Sequence, residues 1–147
     1  MKIMGLDLGN KTLGVAISDS LEMFSLGYPT IRFKNKDYSA AIIELKKLVS
    51  EHNIGKFVLG LPLNMDGTEG VQAVTSRNFK KMLEDEFHLE VVLLDERLTT
   101  RMGLSNMIES GSSRKERHDD IDQAAARVIL QLYLDKERNK WLEKKTN

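Results

Sequence analysis

The N-terminal stretch predicts a β-hairpin that carries an acidic side chain in its first strand. Residues 3–9 are an apolar run interrupted by Asp7, a glycine-bearing turn of five residues follows, and residues 15–19 form a second β-branched run. An ionised carboxylate flanked by Leu6 and Leu8 is costly to bury unless it pairs with a cation or binds a metal. Asp7 therefore requires other groups of the chain to share its site.

Size and charge limit the classes of protein to which the chain can belong. With 147 residues it has the length of one domain, so we expect a single domain over 1–147 with a charged C-terminal tail over 136–147. The 22 basic and 22 acidic residues balance, so an anionic partner must be bound by a local basic patch. No run is apolar enough for a signal peptide or a membrane span, and a cytoplasmic protein without membrane contact is the default expectation.

The cysteine and histidine content restricts the metal chemistry. There are no cysteines, and the three histidines, His52, His88 and His118, have no metal-ligand spacing. Thiolate zinc sites are thereby excluded, and hard-metal chemistry through carboxylates is favoured over histidine-based zinc chemistry.

Hydrophobic periodicity predicts an α/β fold whose pattern changes along the chain. Antiparallel strands come first, and then helices and buried strands alternate, which is typical of a mixed sheet with parallel strands added at one side. After the hairpin, the sequence predicts a strand with a change of phase beyond Pro29, a helix at 38–49 that is closed by Gly55, and a buried strand at 57–61. A loop at 62–70, a helix at 71–87 and a second buried strand at 90–94 follow. The last predicted elements are a helix at 98–109, a polar loop at 110–117 and a final helix at 121–132 with a fraying tail.

Apolar stripes predict which helix faces are buried. The predicted stripes are Tyr38, Ala41, Ile42, Leu45, Leu48 and Val49 in the first helix, Val71, Val74, Phe79, Met82, Leu83 and Phe87 in the second, and Ile121, Ala124, Ala125, Val128, Ile129 and Leu132 in the last.

Three acidic residues stand where exposure to water is not the simple explanation. Asp7 lies in a strand, Glu96 follows a buried strand, and Asp122 lies in an apolar helix, about 20° around the helix axis from Ile129. Converging carboxylates repel one another unless cations lie among them, and oxygen ligands favour Mg²⁺ or Mn²⁺. A pair of such ions activates water for phosphodiester cleavage. Taken singly, the acids also fit a turn former or an ion pair of Glu96 with Arg97.

Four sequence motifs follow one another in a specific order. They are Gly5-Leu6-Asp7-Leu8-Gly9 with Gly14-Val15-Ala16-Ile17-Ser18-Asp19, then Gly60-Leu61-Pro62-Leu63-Asn64-Met65-Asp66-Gly67, then Asp95-Glu96-Arg97-Leu98-Thr99-Thr100, and then Ile121-Asp122-Gln123-Ala124-Ala125. In this order they closely resemble the YqgF family, also called RuvX, over nearly the whole chain. The first motif alone also opens sugar kinases and actin-like ATPases, whereas the second and third are long and specific.

The resemblance implies a ribonuclease H-like α/β fold, with a five-stranded mixed sheet of three antiparallel and two parallel strands flanked by helices. It implies catalytic, metal-binding acids at Asp7, Glu96 and Asp122, with two ions of Mg²⁺ or Mn²⁺. The family resembles nucleases, described first as Holliday junction resolvases and later as enzymes that mature the 5′ end of pre-16S ribosomal RNA. The expected partners are structured RNA, branched DNA and ribosomal precursor particles, and a monomer and a homodimer both remain open.

Several polar residues near the predicted acids are candidates for binding a substrate. Arg97 could hold the scissile phosphate, although an ion pair with Asp95 explains it equally well. Because long loops beside buried strands often carry function, the loop 62–70 is a candidate clamp, with a plain connection as the alternative. The predicted substrate-binding residues are Lys11, Asn64, Asp66, Arg97, Arg114, Lys115 and Arg117.

Other functions remain open from the sequence alone. A Holliday junction resolvase would keep the acids and would require a dimer with two active sites. A nucleotide-binding regulator is suggested by the glycine turn, but 147 residues leave no room for a second phosphate loop and an adenosine-binding subdomain. An inactive RNA-binding relative is disfavoured by the intact set of acids.

Overall fold

The computed structural model describes the backbone of residues 1–97 and 114–146 and the side chains of residues 1–97 and 123–145. The helix predicted at 98–109 lies outside these described residues. The described elements are β1 (Lys2–Leu8), β2 (Thr12–Ser18), β3 (Ser25–Arg32), α1 (Tyr38–His52), β4 (Ile54–Leu61), α2 (Val71–Phe87), β5 (Glu90–Asp95) and α3 (Arg114–Thr146). Within this part of the chain, no helix is long and apolar enough to cross a membrane.

The described strands form one mixed sheet in the order β3-β2-β1-β4-β5. β1, β2 and β3 pair antiparallel, whereas β4 and β5 are added in parallel to β1. The predicted fold class is therefore confirmed. The predicted change of phase in β3 is also confirmed, because Leu13 pairs with Ile31 and Val15 with Tyr28, so that an extra residue is accommodated near Pro29.

Alternation along β1 separates two cores on opposite faces of the sheet. Met4 and Leu6 point into a core shared with α1 and α2, whereas Ile3 packs against α3. Gly5 allows α3 to lie directly on the strand, because a Cβ atom at this position would lie 2.7 Å from Leu130 Cβ and 3.0 Å from the carbonyl oxygen of Ala126. The close approach of α3 to β1 follows from this missing side chain.

The first helix confirms its predicted beginning and corrects its predicted end. The Asp37 side chain accepts a hydrogen bond from the Ala40 backbone N–H at 3.3 Å, which is typical of an N-cap. The helix ends at Asn53, which adopts the left-handed conformation with φ 53°, so the prediction that Gly55 closes it was wrong. Asparagine tolerates this conformation and takes the place that glycine often occupies.

The apolar stripes of the other two helices were only partly correct. In α2, Phe79 and Leu83 are buried as predicted, but Val71 and Val74 are 81% and 52% exposed. Their places in the core are taken by the small residues Ala73 and Ser76, with which the helix faces the sheet. Hydrophobicity alone selects valine at such positions, whereas close packing selects small side chains.

The last helix is longer than predicted and is rotated relative to its predicted stripe. It begins at Arg114, so the loop predicted at 110–117 was wrong from that residue onward, and it continues to Thr146 through the charged tail. Leu132 is 37% exposed, and the most deeply buried residues are Ala126, Ile129 and Leu130. The rotation follows from the contact with Gly5 on β1.

The last strand is less enclosed than its apolar sequence suggests. Only Val91 is buried, and the residues that follow it are half-buried or exposed. The predicted burial of this strand was therefore wrong, because β5 is the last strand of the described sheet and β4 is its one neighbour among the described strands.

Candidate active site

Three parallel strands bring their C-terminal ends to one edge of the sheet. The register pairs Leu6 of β1 with Leu59 of β4, so Asp7 and Gly60 are the next residues along these strands. The Glu96 backbone N–H donates to the Leu61 carbonyl oxygen at 3.1 Å and extends the ladder beyond β5. Residues 7, 60 and 96 therefore lie close together despite their separation in sequence. They lie at the carboxyl ends of the strands, where open α/β sheets form their sites.

The structure brings two of the predicted acids, Asp7 and Glu96, into contact. Glu96 is only 8% exposed, and its carboxyl group is hydrogen-bonded to the Asp7 side chain. The contact passes over Gly60, where a Cβ atom would lie 2.5 Å from both Cδ and Oε1 of Glu96. The glycine thus leaves the space that the Glu96 carboxyl group occupies.

Burial and the neighbouring Asp7 carboxylate raise the pKa of Glu96 to about 10. At neutral pH the Glu96 carboxyl group therefore keeps its proton in the metal-free protein, because its ionisation would place a second negative charge, in a buried position, beside Asp7. A divalent cation can replace that proton and neutralise both charges. Because the donors are carboxylate oxygens, they fit Mg²⁺ or Mn²⁺.

The third predicted acid is placed by its backbone only. Asp122 lies within α3, but its side chain is outside the described residues. Among the described side chains there is no cluster of three or more metal-binding residues. The described part of the site is therefore a pair of carboxylates.

Arg97 is held by Asp95 beside this pair. Its Nε and Nη2 atoms donate to Asp95 Oδ2 at 2.9 and 2.6 Å, which is a two-pronged guanidinium–carboxylate contact. The hydrogen bonds from Arg97 hold the pKa of Asp95 below its usual value. The ion pair of Arg97 with Asp95 that the sequence suggested as an alternative is therefore present.

The segment 62–70 is folded on itself at the same edge. Asn64 Nδ2 donates to Thr68 Oγ1 at 2.9 Å, and Asp66 Oδ1 accepts from the backbone N–H and hydroxyl of Thr68 at 3.0 and 2.6 Å. Gly67 has a φ of 88°, which a residue with a side chain adopts at a cost. Arg97 Nη1 donates to the Met65 carbonyl oxygen at 3.3 Å and ties this segment to the end of β5.

The other predicted substrate-binding residues are basic. Lys11 is exposed in the turn between β1 and β2, at the same edge of the sheet as Asp7. Arg114, Lys115 and Arg117 belong to the first turns of α3, and their side chains are outside the described residues.

Gly60 is the site residue that the sequence analysis missed. A signal was available, because a glycine within the otherwise apolar run Phe57–Leu61 of β4 indicates that another group approaches the strand closely. Such a glycine also marks bulges and bends, and the sequence alone does not say which group approaches.

Comparison with known proteins places the chain in a family. The model of the RuvX family, described as a Holliday junction resolvase, matches residues 1–136. The chain belongs to the RuvX family. It is 47% identical to a protein of Oceanobacillus iheyensis over 135 residues, which cover 92% of this chain and 98% of that protein. It is 44% identical to a Bacillus subtilis protein over 135 residues with the same coverage, and both RuvX relatives are named "Putative pre-16S rRNA nuclease".

Solved structures share the fold of this RuvX chain at low sequence identity. The fowlpox virus resolvase in complex with Holliday junction DNA has a TM-score of 0.54 and 15% identity, and the match covers 92% of this chain and 98% of the resolvase. Thermus thermophilus RuvC has a TM-score of 0.50 and 11% identity, with 88% and 92% of the two chains covered. The ribonuclease H-like fold expected for a RuvX protein is thus confirmed.

Proposed function

We propose that this RuvX chain is a metal-dependent nuclease that hydrolyses phosphodiester bonds at the 5′ end of pre-16S ribosomal RNA. The observation that carries the proposal is the contact of Asp7 with the buried Glu96 across Gly60. A buried carboxyl group beside a second carboxylate is costly, and a structural role does not require such a pair. Binding of divalent cations accounts for the proximity of the two carboxyl groups.

The position of α3 supports Asp122 as the third acid. Lys56, which pairs with Ile3 at the start of β1, donates a hydrogen bond to Tyr133, whereas the later residue Gly5 lies against Leu130. The helix therefore runs antiparallel to β1, and its earlier turns lie toward the strand end that carries Asp7. Position 122 precedes Ala126 by one turn and so belongs to that end of the helix.

In the proposed site, the carboxylates of Asp7, Glu96 and Asp122 would hold two divalent cations. When bound, the cations supply a nucleophilic water and neutralise charge on the phosphate. The protein positions the carboxylates and excludes water from Glu96, which is buried. The Asp95 pair keeps Arg97 at the rim, where its guanidinium can meet the substrate backbone.

The substrate would contact a wider rim around the acids. Asn64 and Asp66 lie in the folded segment 62–70 that Arg97 ties to β5. The remaining proposed contacts are the basic residues Lys11, Arg114, Lys115 and Arg117. The names of the relatives support ribosomal precursor RNA as the substrate, because two relatives that share 47% and 44% identity with this chain carry that name.

Holliday junction cleavage is the second candidate function. It is favoured by the description of the matching family and by a structural neighbour that is bound to junction DNA. Paired cuts across a junction require two active sites in a dimer. Light scattering of the protein with and without junction DNA tests this requirement, and a monomer in both cases would count against the candidate.

A cleavage panel tests the proposed function. The substrates are a ribosomal RNA precursor that carries its 5′ leader, a four-way DNA junction and plain single strands, each incubated with Mg²⁺, Mn²⁺ or a chelator. We expect metal-dependent cleavage of the precursor RNA in preference to the others. Preferred cleavage of the junction would support the second candidate, and no cleavage of any nucleic acid would refute the proposed nuclease.

Gly60→Ala is expected to reduce cleavage with little loss of stability. The added methyl group would lie 2.5 Å from Glu96 Cδ, so the carboxyl group must move away from Asp7. Because the end of a flexible side chain moves easily, we expect the free energy of unfolding to fall by no more than about 1–3 kcal/mol. The cleavage rate should fall at least about tenfold, since small displacements at a site are costly. Kinetic assays and thermal unfolding measure the two effects.

Gly55→Ala in the same strand is the matched control. The Cβ atom added at position 55 would lie 2.6 Å from Met1 Sδ, which also belongs to a flexible side chain. Gly55 lies at the end of β4 that is opposite to Gly60. Its cleavage rate should equal that of the wild type. Equal rates for all three proteins would show that Gly60 has no role in positioning Glu96.

A further inference from the structure

Two exposed segments carry lysines to the edge of the sheet that holds the acids. The turn after β1 contains Lys11, and the segment after β3 contains Lys34 and Lys36. Because β2 and β3 are antiparallel to each other and β2 to β1, the end of β3 lies at the same edge as the end of β1. Lys11, Lys34 and Lys36 are called the basic edge below.

Backbone hydrogen bonds hold the two segments of the basic edge together. The Phe33 backbone N–H donates to the Lys11 carbonyl oxygen at 3.0 Å, and the Lys36 backbone N–H donates to the Asn10 carbonyl oxygen at 2.7 Å. Lys36 adopts the left-handed conformation with φ 60°, which is costly for a residue with a side chain. Lysine thus occupies a position at which the backbone of glycine would be less strained.

The charges of the basic edge are not neutralised within the described part of the protein. All three lysines are exposed, and none forms an ion pair or side-chain hydrogen bond with a described residue. The nearest acid in sequence, Asp37, accepts a hydrogen bond from the start of α1. By contrast, lysines on the outer surfaces of α1 and α2, such as Lys46 and Lys81, pair with Glu86 and Asp85.

Charge differs between the two sides of the active-site edge. The β5 side carries Asp66, Glu69 and Asp95, whose partners are Thr68, Arg77 and Arg97. The basic edge lies on the β3 side, and Asp7 and Glu96 lie between the two. Across the described surface, a polyanion that approaches the acids from the β3 side therefore meets positive charges that are not paired with acids.

We propose that the basic edge binds the phosphodiester backbone of the nucleic acid strand and leads it toward Asp7 and Glu96 from the β3 side. Lysines recognise phosphates as point charges and carry no sequence information, so binding by this surface is electrostatic and independent of sequence. The inference rests on the proposed nuclease function for its biological meaning. It adds Lys34 and Lys36 as binding residues and gives the strand a direction across the site.

Binding measured without divalent metal separates this inference from the nuclease proposal. The affinity for a short, fluorescently labelled single-stranded RNA is measured by anisotropy in a chelator at a series of KCl concentrations. The variants are Lys11→Gln/Lys34→Gln/Lys36→Gln and, as control, Lys46→Gln/Lys47→Gln/Lys81→Gln, which removes equal charge from ion-paired sites on α1 and α2. Thermal unfolding verifies that both variants are folded.

The basic-edge variant is expected to bind the RNA at least about tenfold more weakly than the wild type at low salt. A plot of the logarithm of the binding constant against the logarithm of the KCl concentration should have a slope that is shallower by up to about 2, because each phosphate contact on a single strand contributes about 0.7. The control variant should match the wild type in affinity and in salt dependence. Unchanged affinity and slope in the basic-edge variant, or no salt-dependent binding by the wild type, would overturn the inference. Failure of the nuclease proposal appears separately, as absence of cleavage by a wild type that still binds.

Discussion

Asp7→Asn is expected to abolish metal-dependent cleavage while the fold remains intact. Asn keeps the shape of the side chain but loses one negative charge of the pair with Glu96, so the site holds a divalent cation more weakly. Loss of outer-shell partners of metal ligands typically costs about 10–100-fold in activity, and a ligand itself should cost more than about 100-fold. Cleavage of the preferred substrate in Mg²⁺ or Mn²⁺ is the measurement.

Thermal unfolding and a second variant make the Asp7 result specific. Asp7→Asn should unfold at the wild-type temperature or above it in chelator, because the Asn side chain can hydrogen-bond to the Glu96 carboxyl group and the negative charge beside Glu96 is removed. Mn²⁺ is expected to raise the unfolding temperature of the wild type, and Asp7→Asn should lose this increase. Asp85→Asn, which makes the same change on the exposed surface of α2, should alter none of these properties. Cleavage by Asp7→Asn at the wild-type rate would refute Asp7 as a ligand.

Glu96→Gln is expected to remove a pH dependence from the stability of the metal-free protein. In the folded state burial and Asp7 raise the pKa of Glu96 to about 10, whereas its ordinary value is 4.5. At a pH between these two pKa values the folded protein binds more protons than the unfolded chain. The contribution of Glu96 to the free energy of unfolding is therefore largest below the lower pKa and decreases as the pH rises toward the higher pKa. The slope contributed by one group is at most about 1.4 kcal/mol per pH unit.

The comparison with a control isolates Glu96 from other titrating groups. Denaturant unfolding in chelator from pH 6 to pH 9 should show a falling free energy of unfolding in the wild type and a flatter dependence in Glu96→Gln. Glu44→Gln, which changes an exposed side chain paired with Lys47, should keep the wild-type dependence. Identical slopes for the wild type and Glu96→Gln would show that the folded protein does not raise the pKa of Glu96. Glu96→Gln should also abolish cleavage.

Local signals in the sequence predicted most of the elements and two of the acids at the site. The apolar stripe of α1, the apolar run of β4 and the glycine-bearing turn after β1 each depend on a few neighbouring residues, so they can be interpreted without the rest of the chain. Asp7 and Glu96 were identified because charged residues in or next to apolar strands need a partner. The structure places these two side chains in contact, and the roles of Asp7, Glu96 and Asp122 as metal ligands stay predictions.

The errors concern surfaces that meet elsewhere in the fold. Val71 was predicted to be buried because it is apolar, yet the sheet accepts the smaller residues Ala73 and Ser76 of α2. Leu132 was predicted to belong to the buried stripe of α3, yet the contact with Gly5 turns Ala126 and Leu130 inward. Both cases depend on the shape of the opposing surface, which periodicity does not contain.

By itself, the sequence determined the change from hairpins to alternating helices and strands, the strand ends that carry Asp7 and Glu96, and the presence of a glycine within β4. Only the tertiary structure decided that β4 lies between β1 and β5, so that Gly60 separates two acids from distant parts of the chain. The physical reason is that strand order and register are set by hydrogen bonds and packing between segments far apart in sequence. Those non-local contacts turn two isolated carboxylates into one candidate metal site.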